Sequence, residues 1–340
     1  MENVKTEIKE KSPLGREISF CVDKAKVEQE KSAIVAEIKK TAEIEGFRKG
    51  KAPEAVVETK FAKLINENLY NRIIPDAYIN IVKEKELMSV TEPDVYDVSI
   101  DDEGLKFKVY IELKPEVQLK KYKGIPVKRI TPEQVTEEEV DNILAEWEKN
   151  PSLSTSIIDP VKRKAWREKI LQQLDAYKKE NALMQEDKQL WDAILKDVDF
   201  PVPEKMVREE AISYTEGYLS RMNLEGKSKE EVEKIAKDIL DKVKPEAEVS
   251  VKRYLVLDKV AEVEGIKVEE KEINARIEEI SRSAGEPLEQ IRQKLEKADK
   301  IDSLREDLRI KKAFSFLREN AKFIEKIILP GEEKKLEIIK

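Results

Sequence analysis

The chain has 340 residues, of which 40% are charged and 6% aromatic, and its formal net charge is −7. That length predicts two or three domains, and the composition suits long exposed helices better than one thick core. The acidic balance excludes a general coat for nucleic acid, and the absence of histidine excludes His-based catalysis and His-containing metal sites.

The N-terminus, MENVKTEIKEKSPLGRE, has no apolar h-region, and no apolar run approaches the ~18 residues that span a bilayer. With a single cysteine, Cys21, these features predict a soluble, cytoplasmic protein in a reducing compartment. Residues 16–23 alternate as a strand, with Ile18, Phe20 and Val22 on one face and Cys21 on the other. No base or metal partner accompanies Cys21, so it is expected to be unreactive.

A helix is predicted from Ala25 to Ile44, with Val27, Ile34, Val35 and Ile38 on its apolar side. After it comes Gly46-Phe47-Arg48-Lys49-Gly50-Lys51-Ala52-Pro53, a loop with three cations, no acid and one bare aromatic. A connector gains nothing from an exposed phenylalanine, whereas burying one at an interface contributes ~1.5–3 kcal/mol. Gly46 and Gly50 give the backbone freedom to present Phe47, Arg48 and Lys49 outward, with Lys51 adding charge. On composition the loop is either a flexible, Lys-rich connector or a docking loop for an anionic, partly apolar surface, and Phe47 favours the second.

Pro53 opens the next helix, where its missing N–H costs nothing. That helix carries Val56, Val57, Phe61, Leu64, Ile65, Leu69 and Ile73, and Pro75 is expected to kink or break it. Residues 94–100 and 105–113 read as a hairpin across Asp101-Asp102-Glu103-Gly104. In its second strand Leu105, Phe107, Val109, Ile111 and Leu113 share one face; Lys106, Lys108, Tyr110 and Glu112 share the other. A small α+β domain over 1–113 follows.

Pro115, Pro126 and Pro132 keep 114–135 extended, and Thr136 to Glu139 form a capping box for a short helix through Trp147. Asn150 to Ser156 is a polar turn, which completes a linker over 114–159. The remainder, 160–340, reads as all-helical: 161–198, 204–223, a helix from Ser228, another centred on 249–264, then 269–283, 287–297 and 301–325. Tyr214, Tyr218, Leu219 and Met222 cluster on one of these helices. Either they pack in thin bundle seams or they stay half-exposed on a concave surface.

No enzymatic motif survives inspection. Gly226-Lys227-Ser228 imitates the end of a P-loop, but Arg221 stands where the first glycine belongs and no strand precedes it. Acidic runs such as Glu137-Glu138-Glu139 and Glu230-Glu231 read as solvated helix faces. No catalytic residue, metal site or cofactor is expected.

Gly-Phe-Arg-Lys-Gly-Lys-Ala-Pro between two helices of a small α+β domain resembles the ribosome-docking loop of bacterial trigger factor. Three later segments are similar to the same family: Val202 to Glu210, a proline-entered arm helix; Leu255 to Val268, a helix followed by Gly-Ile-x-Val; and Lys312 to Leu317 in a last long helix. The resemblance covers roughly 15–125 and 160–325. It implies an α+β N-terminal ribosome-docking domain followed by an extended all-α chaperone domain with helical arms.

The resemblance further implies an ATP-independent chaperone that binds the large subunit's protein and rRNA near the exit tunnel through Gly46, Phe47, Arg48, Lys49, Gly50, Lys51 and Pro53. Nascent or unfolded polypeptides would be its clients, held by the helical part, with Met206, Tyr214, Tyr218, Leu219 and Met222 as candidate contacts. No membrane or DNA partner is implied, and a homodimer off the ribosome stays open. The family usually carries an inserted FKBP-type prolyl isomerase domain. Only about ten residues, Asn150 to Asp159, stand in its place, so isomerase activity is not expected. An assembly factor that holds folded ribosomal proteins is the alternative reading.

Overall fold

The computed structural model describes residues 4–149 and 160–326, together with the backbone of 337–338. The turn expected at 150–159, where the family's inserted domain would sit, lies outside the described residues. Packing divides the chain into two units: Met1–Glu116 with Phe200–Val251, and Val117–Asp199 with Lys252–Lys340.

The first unit is built on β1 (Val4–Glu10), β2 (Gly15–Asp23), β3 (Asp94–Asp101) and β4 (Gly104–Glu112), an antiparallel sheet in the order β1-β2-β4-β3. α1 (Lys24–Thr41), α2 (Glu54–Lys60) and α3 (Ala62–Glu84) belong to the same unit. The alternation predicted for β2 and β4 is present: Ile18, Phe20 and Val22 join Leu105, Phe107, Val109 and Ile111 in one core with Val27, Ile34, Val35 and Ile38 of α1. Phe20 and Phe107, paired across the strands, stack with ring centroids 4.5 Å apart. The charged N-terminus also forms a strand, β1, whose Val4 and Ile8 pack against that core.

Pro75 does not end its helix, although a kink or break was expected there. α3 runs through it and buries Ile65, Leu69, Ile73, Ala77 and Ile81 on both sides of the proline. One lost bond and its steric clash, roughly 3 kcal/mol, are outweighed by that continuous apolar face. The break falls instead at Phe61, with φ −114° and ψ 23°, between α2 and α3. Leu64, expected on the apolar side, is exposed as a result.

Unit one also holds α6 (Glu204–Leu219) and the first part of α7 (Lys229–Val263). Two separate helices were expected over the latter range. They form a single helix that includes Pro245, with Val243, Ala247 and Val251 buried around it.

The second unit contains β5 (Pro126–Lys128), α4 (Glu137–Glu148), α5 (Pro160–Lys196), the end of α7, α8 (Glu270–Ala284), α9 (Leu288–Lys297) and α10 (Ile301–Glu319). Thr136 caps α4 through the predicted box. Val140 and Leu144 pack on Ile170 of α5, and Trp147 meets Trp166 edge-on at 5.4 Å. Ile273, Ile277 and Ile291 form a satellite core for α8, α9 and α10. The last helix is shorter than expected: it ends at Glu319, and β6 (Lys322–Lys326) pairs in parallel with β5 and antiparallel with β7 (Glu337–Ile338). The buried Glu186 carboxylate is satisfied by the Ile130 N–H at 3.0 Å and by Arg318 at 3.2 Å. No helix among the described residues is long and apolar enough to cross a membrane.

Candidate functional site

The loop between α1 and α2 is two consecutive turns. The Phe47 N–H donates to the Ile44 carbonyl at 3.0 Å, and the Lys51 N–H donates to the Arg48 carbonyl at 2.9 Å. Each turn has a glycine as its third residue, Gly46 at φ +85° and Gly50 at φ +79°, the sign that a type II turn requires there. A Cβ built on either glycine meets nothing within 4 Å. Backbone angle, not space, selects glycine at both positions.

Buried residues hold the two ends of this loop. Ile44 and Ala52 belong to the core of the unit, and the Pro53 carbonyl accepts from the Val56 and Val57 N–H groups to start α2. Between these anchors Phe47 is 42% exposed, and Arg48, Lys49 and Lys51 are exposed. None of the three cations has an ion-pair partner among the described residues. Neighbouring cations do: Lys31 pairs with Glu58 at 3.1 Å, Lys39 with Glu54 at 3.7 Å, and Arg72 with Glu37. Charge left uncompensated beside a solvated aromatic is what an anionic, partly apolar partner would neutralise and cover.

The second candidate group is spread along and past α6. Val207, Ala211 and Thr215 form its buried stripe, which leaves Met206, Tyr214 and Leu219 half-buried and Tyr218 50% exposed. Burial raises the Tyr214 phenol above its ordinary value. Met222 was expected on the same helix but lies beyond its end, 44% exposed, in a turn where its N–H donates to the Leu219 carbonyl. The turn continues through Asn223, whose side chain accepts from the Glu225 N–H, and Gly226 at φ +80°. Turn chemistry of this kind stops the helix.

Sequence patterning also missed a polar joint in this unit. Glu112 was placed on the face of β4 opposite the apolar set, yet it is only 3% exposed. Its carboxylate accepts the Lys205 N–H of α6 at 2.9 Å and the Tyr110 hydroxyl at 3.2 Å. The Lys205 ammonium reaches the Glu92 carbonyl and Asp94, each at 2.7 Å. A cleft of ≈ 870 Å³ opens beside this joint, between the sheet corner and α6 and α7. Residues about ninety positions apart meet here, so no local spacing signals the contact. The unsatisfied N-terminus of a proline-entered helix was the available clue.

Comparison with known proteins places the chain in a family. The family model described as bacterial trigger factor protein matches residues 4–147, and the model of the trigger factor C-terminus matches 164–319. A trigger factor of Koribacter versatilis (strain Ellin345) is 24% identical over 413 residues, covering 90% of this chain and 94% of the relative. One from Acetivibrio thermocellus is 24% identical over 430 residues, covering 94% of this chain and all of the relative. Because 90% of 340 residues is spread over 413 aligned positions, about a hundred positions of the first relative have no counterpart here. A solved structure of the trigger factor chaperone covers 92% of this chain and is itself covered to 99%, at 14% identity and a TM-score of 0.49. With both family models matched in order along it, the chain belongs to the bacterial trigger factor family of ribosome-associated chaperones.

Proposed function

We propose that the chain docks on the large ribosomal subunit near the exit tunnel through Gly46, Phe47, Arg48, Lys49, Gly50, Lys51 and Pro53. The observation that carries this reading is the pair of glycine turns presenting an exposed Phe47 among three unpaired cations. Phe47 is assigned to an apolar edge of ribosomal protein, and Arg48, Lys49 and Lys51 to rRNA phosphates. Neutralising three phosphates would make the affinity fall with salt on a log–log slope of about −2 to −3. The remaining glycines and Pro53 set loop shape.

The functional division follows the chain: docking over 1–113, a linker over 114–159, and client holding over 160–340 together with the inner face of the first part. Met206, Tyr214, Tyr218, Leu219 and Met222 supply polarisable, half-exposed contacts, each weak enough for release without nucleotide. The protein works in the cytoplasm, without cofactor and without prolyl isomerisation. The last point is supported by the alignment, in which about a hundred positions of the relative are missing here, and by the interval between the matched models, 148–163.

The test replaces Phe47, Arg48 and Lys49 together by alanine. Co-sedimentation with ribosomes is expected to disappear while the circular-dichroism spectrum keeps its helical form. Normal pelleting of a folded triple variant refutes the loop assignment. Suppression of aggregation of a denatured test protein is expected for wild type and triple variant alike, which separates holding from docking.

A further inference from the structure

The two glycine turns of the loop are built alike, but their corners carry opposite charge. The first runs Ile44-Glu45-Gly46-Phe47 and the second Arg48-Lys49-Gly50-Lys51. In each, the residue before the glycine is the second of the turn, a position with no backbone demand for an acid or a base. Lys49 stands there in one turn and Glu45 in the other, and both are exposed.

The Glu45 carboxylate has no structural task. It has no hydrogen-bond or ion-pair partner among the described residues, although three cations follow within six positions. Acids nearby are used: Glu37 pairs with Arg72, Glu54 with Lys39 and Glu58 with Lys31. On a pure polyanion a free carboxylate here is unfavourable. Phosphates drawn to Arg48 and Lys49 come within a Debye length of it, about 8 Å at physiological salt. The same carboxylate is favourable where the polyanion borders a cation. Ile44 and Phe47 are bridged across the first turn, so the Glu45 corner moves with the aromatic that is assigned to ribosomal protein.

We propose that Glu45 is a specificity-determining residue of the docking loop, meeting a lysine or arginine of the ribosomal protein that Phe47 covers and opposing attachment to RNA without protein. This assignment rests on the docking reading and deepens it. Arg48, Lys49 and Lys51 attract phosphate wherever it is presented. Specificity is a difference of two affinities, and a group repelled by the wrong surface widens that difference as well as one attracted by the right surface. Glu45 does both: it loses affinity on bare RNA and gains it at a junction of RNA with basic protein.

The experiment titrates the full chain with intact large ribosomal subunits and with rRNA extracted from them, at one salt concentration. Glu45→Gln is expected to bind the subunits about threefold more weakly and the bare rRNA about threefold more tightly, each the size of one exposed charge pair. Selectivity for the subunit therefore falls about tenfold. Glu28→Gln is the control, since it makes the same change in net charge at an exposed acid without an ion pair among the described residues. Glu28 lies about 20 Å from the loop end of α1, at 1.5 Å per residue and well beyond the Debye length. Its selectivity should match wild type within about 1.5-fold.

Unchanged affinities in Glu45→Gln overturn the proposal, because the acid is then merely solvated. A shift of both affinities in the same direction also overturns it, as does an equal loss of selectivity in Glu28→Gln. If wild type binds subunits through Phe47, Arg48 and Lys49 while Glu45→Gln keeps its selectivity, the Glu45 assignment alone fails. If wild type does not bind the subunits, the docking reading fails and this assignment with it.

Discussion

Two kinds of glycine in the first unit make the same substitution cost different amounts for different reasons. Gly46→Ala forces a side chain to φ +85° but meets no atom within 4 Å. Left-handed backbone costs an L-residue about 1–2 kcal/mol, offset by about 0.5 kcal/mol from a stiffer unfolded chain. The net loss is about 1 kcal/mol, a fall in Tm of about 2–4 °C for a unit of this size. Gly104→Ala adds contact to strain. At φ +136° its Cβ would sit 1.9 Å from the Val22 carbonyl oxygen of β2, so the end of the β2–β4 pairing must open, at more than about 3 kcal/mol. Hydrogen exchange of β2 and β4 amides reads both losses in this unit. Gly46→Asn is expected to recover part of the loss, because asparagine tolerates this region. If the turn is also the docking conformation, Gly46→Ala lowers ribosome affinity by up to about fivefold. Equal costs at positions 46 and 104 would refute the separation of backbone angle from space, and a neutral Gly46→Ala would refute the turn.

Three further outcomes are expected. All three tryptophans, Trp147, Trp166 and Trp191, lie in the second unit, so tryptophan fluorescence follows that unit alone; Thr136→Ala should lower the stability read from its urea transition by about 1 kcal/mol through loss of the capping box, and no change would contradict the cap. Burial, with Glu306 nearby, pushes the Tyr254 phenol up to about 12. The folded state therefore keeps this proton above pH 10 where the unfolded state loses it; stability present below about pH 10 falls as pH rises towards 12, and Tyr254→Phe should flatten that fall. A proline-limited refolding reaction should show no acceleration at catalytic concentrations of the chain, and turnover there would refute the proposal that the chain works without prolyl isomerisation.

Legibility followed periodicity. β2 and β4 could be read because one face buries a full alternating set, from Ile18 to Val22 and from Leu105 to Ile111. β1 was missed because an edge strand buries little: Val4 and Ile8 are its apolar contribution, and Lys5, Glu7 and Lys9 occupy the other face. Pro75 misled, since a kink or break was expected there. Pro75 and Pro245 sit inside helices whose apolar faces continue on both sides, and tertiary burial overrides the local penalty. The strand β6 could not be distinguished from a helix end, since Phe323 and Ile324 gain their partner from β5, almost two hundred residues earlier. The loop at 46–53 was legible because its chemistry is local: glycine spacing sets two turns, and the absence of acid leaves its cations free. Glu112 was not, because its partner is a helix end far along the chain.

The central claim is that the loop around Phe47 touches the ribosome. A photo-cross-linking amino acid in place of Phe47 tests it most directly, with the full chain bound to ribosomes and irradiated. Cross-links to large-subunit protein or rRNA at the exit-tunnel rim are the predicted result, lost when Arg48 and Lys49 are also changed to alanine. Efficient co-sedimentation with no cross-link from position 47, or cross-links confined to the small subunit, would contradict the account.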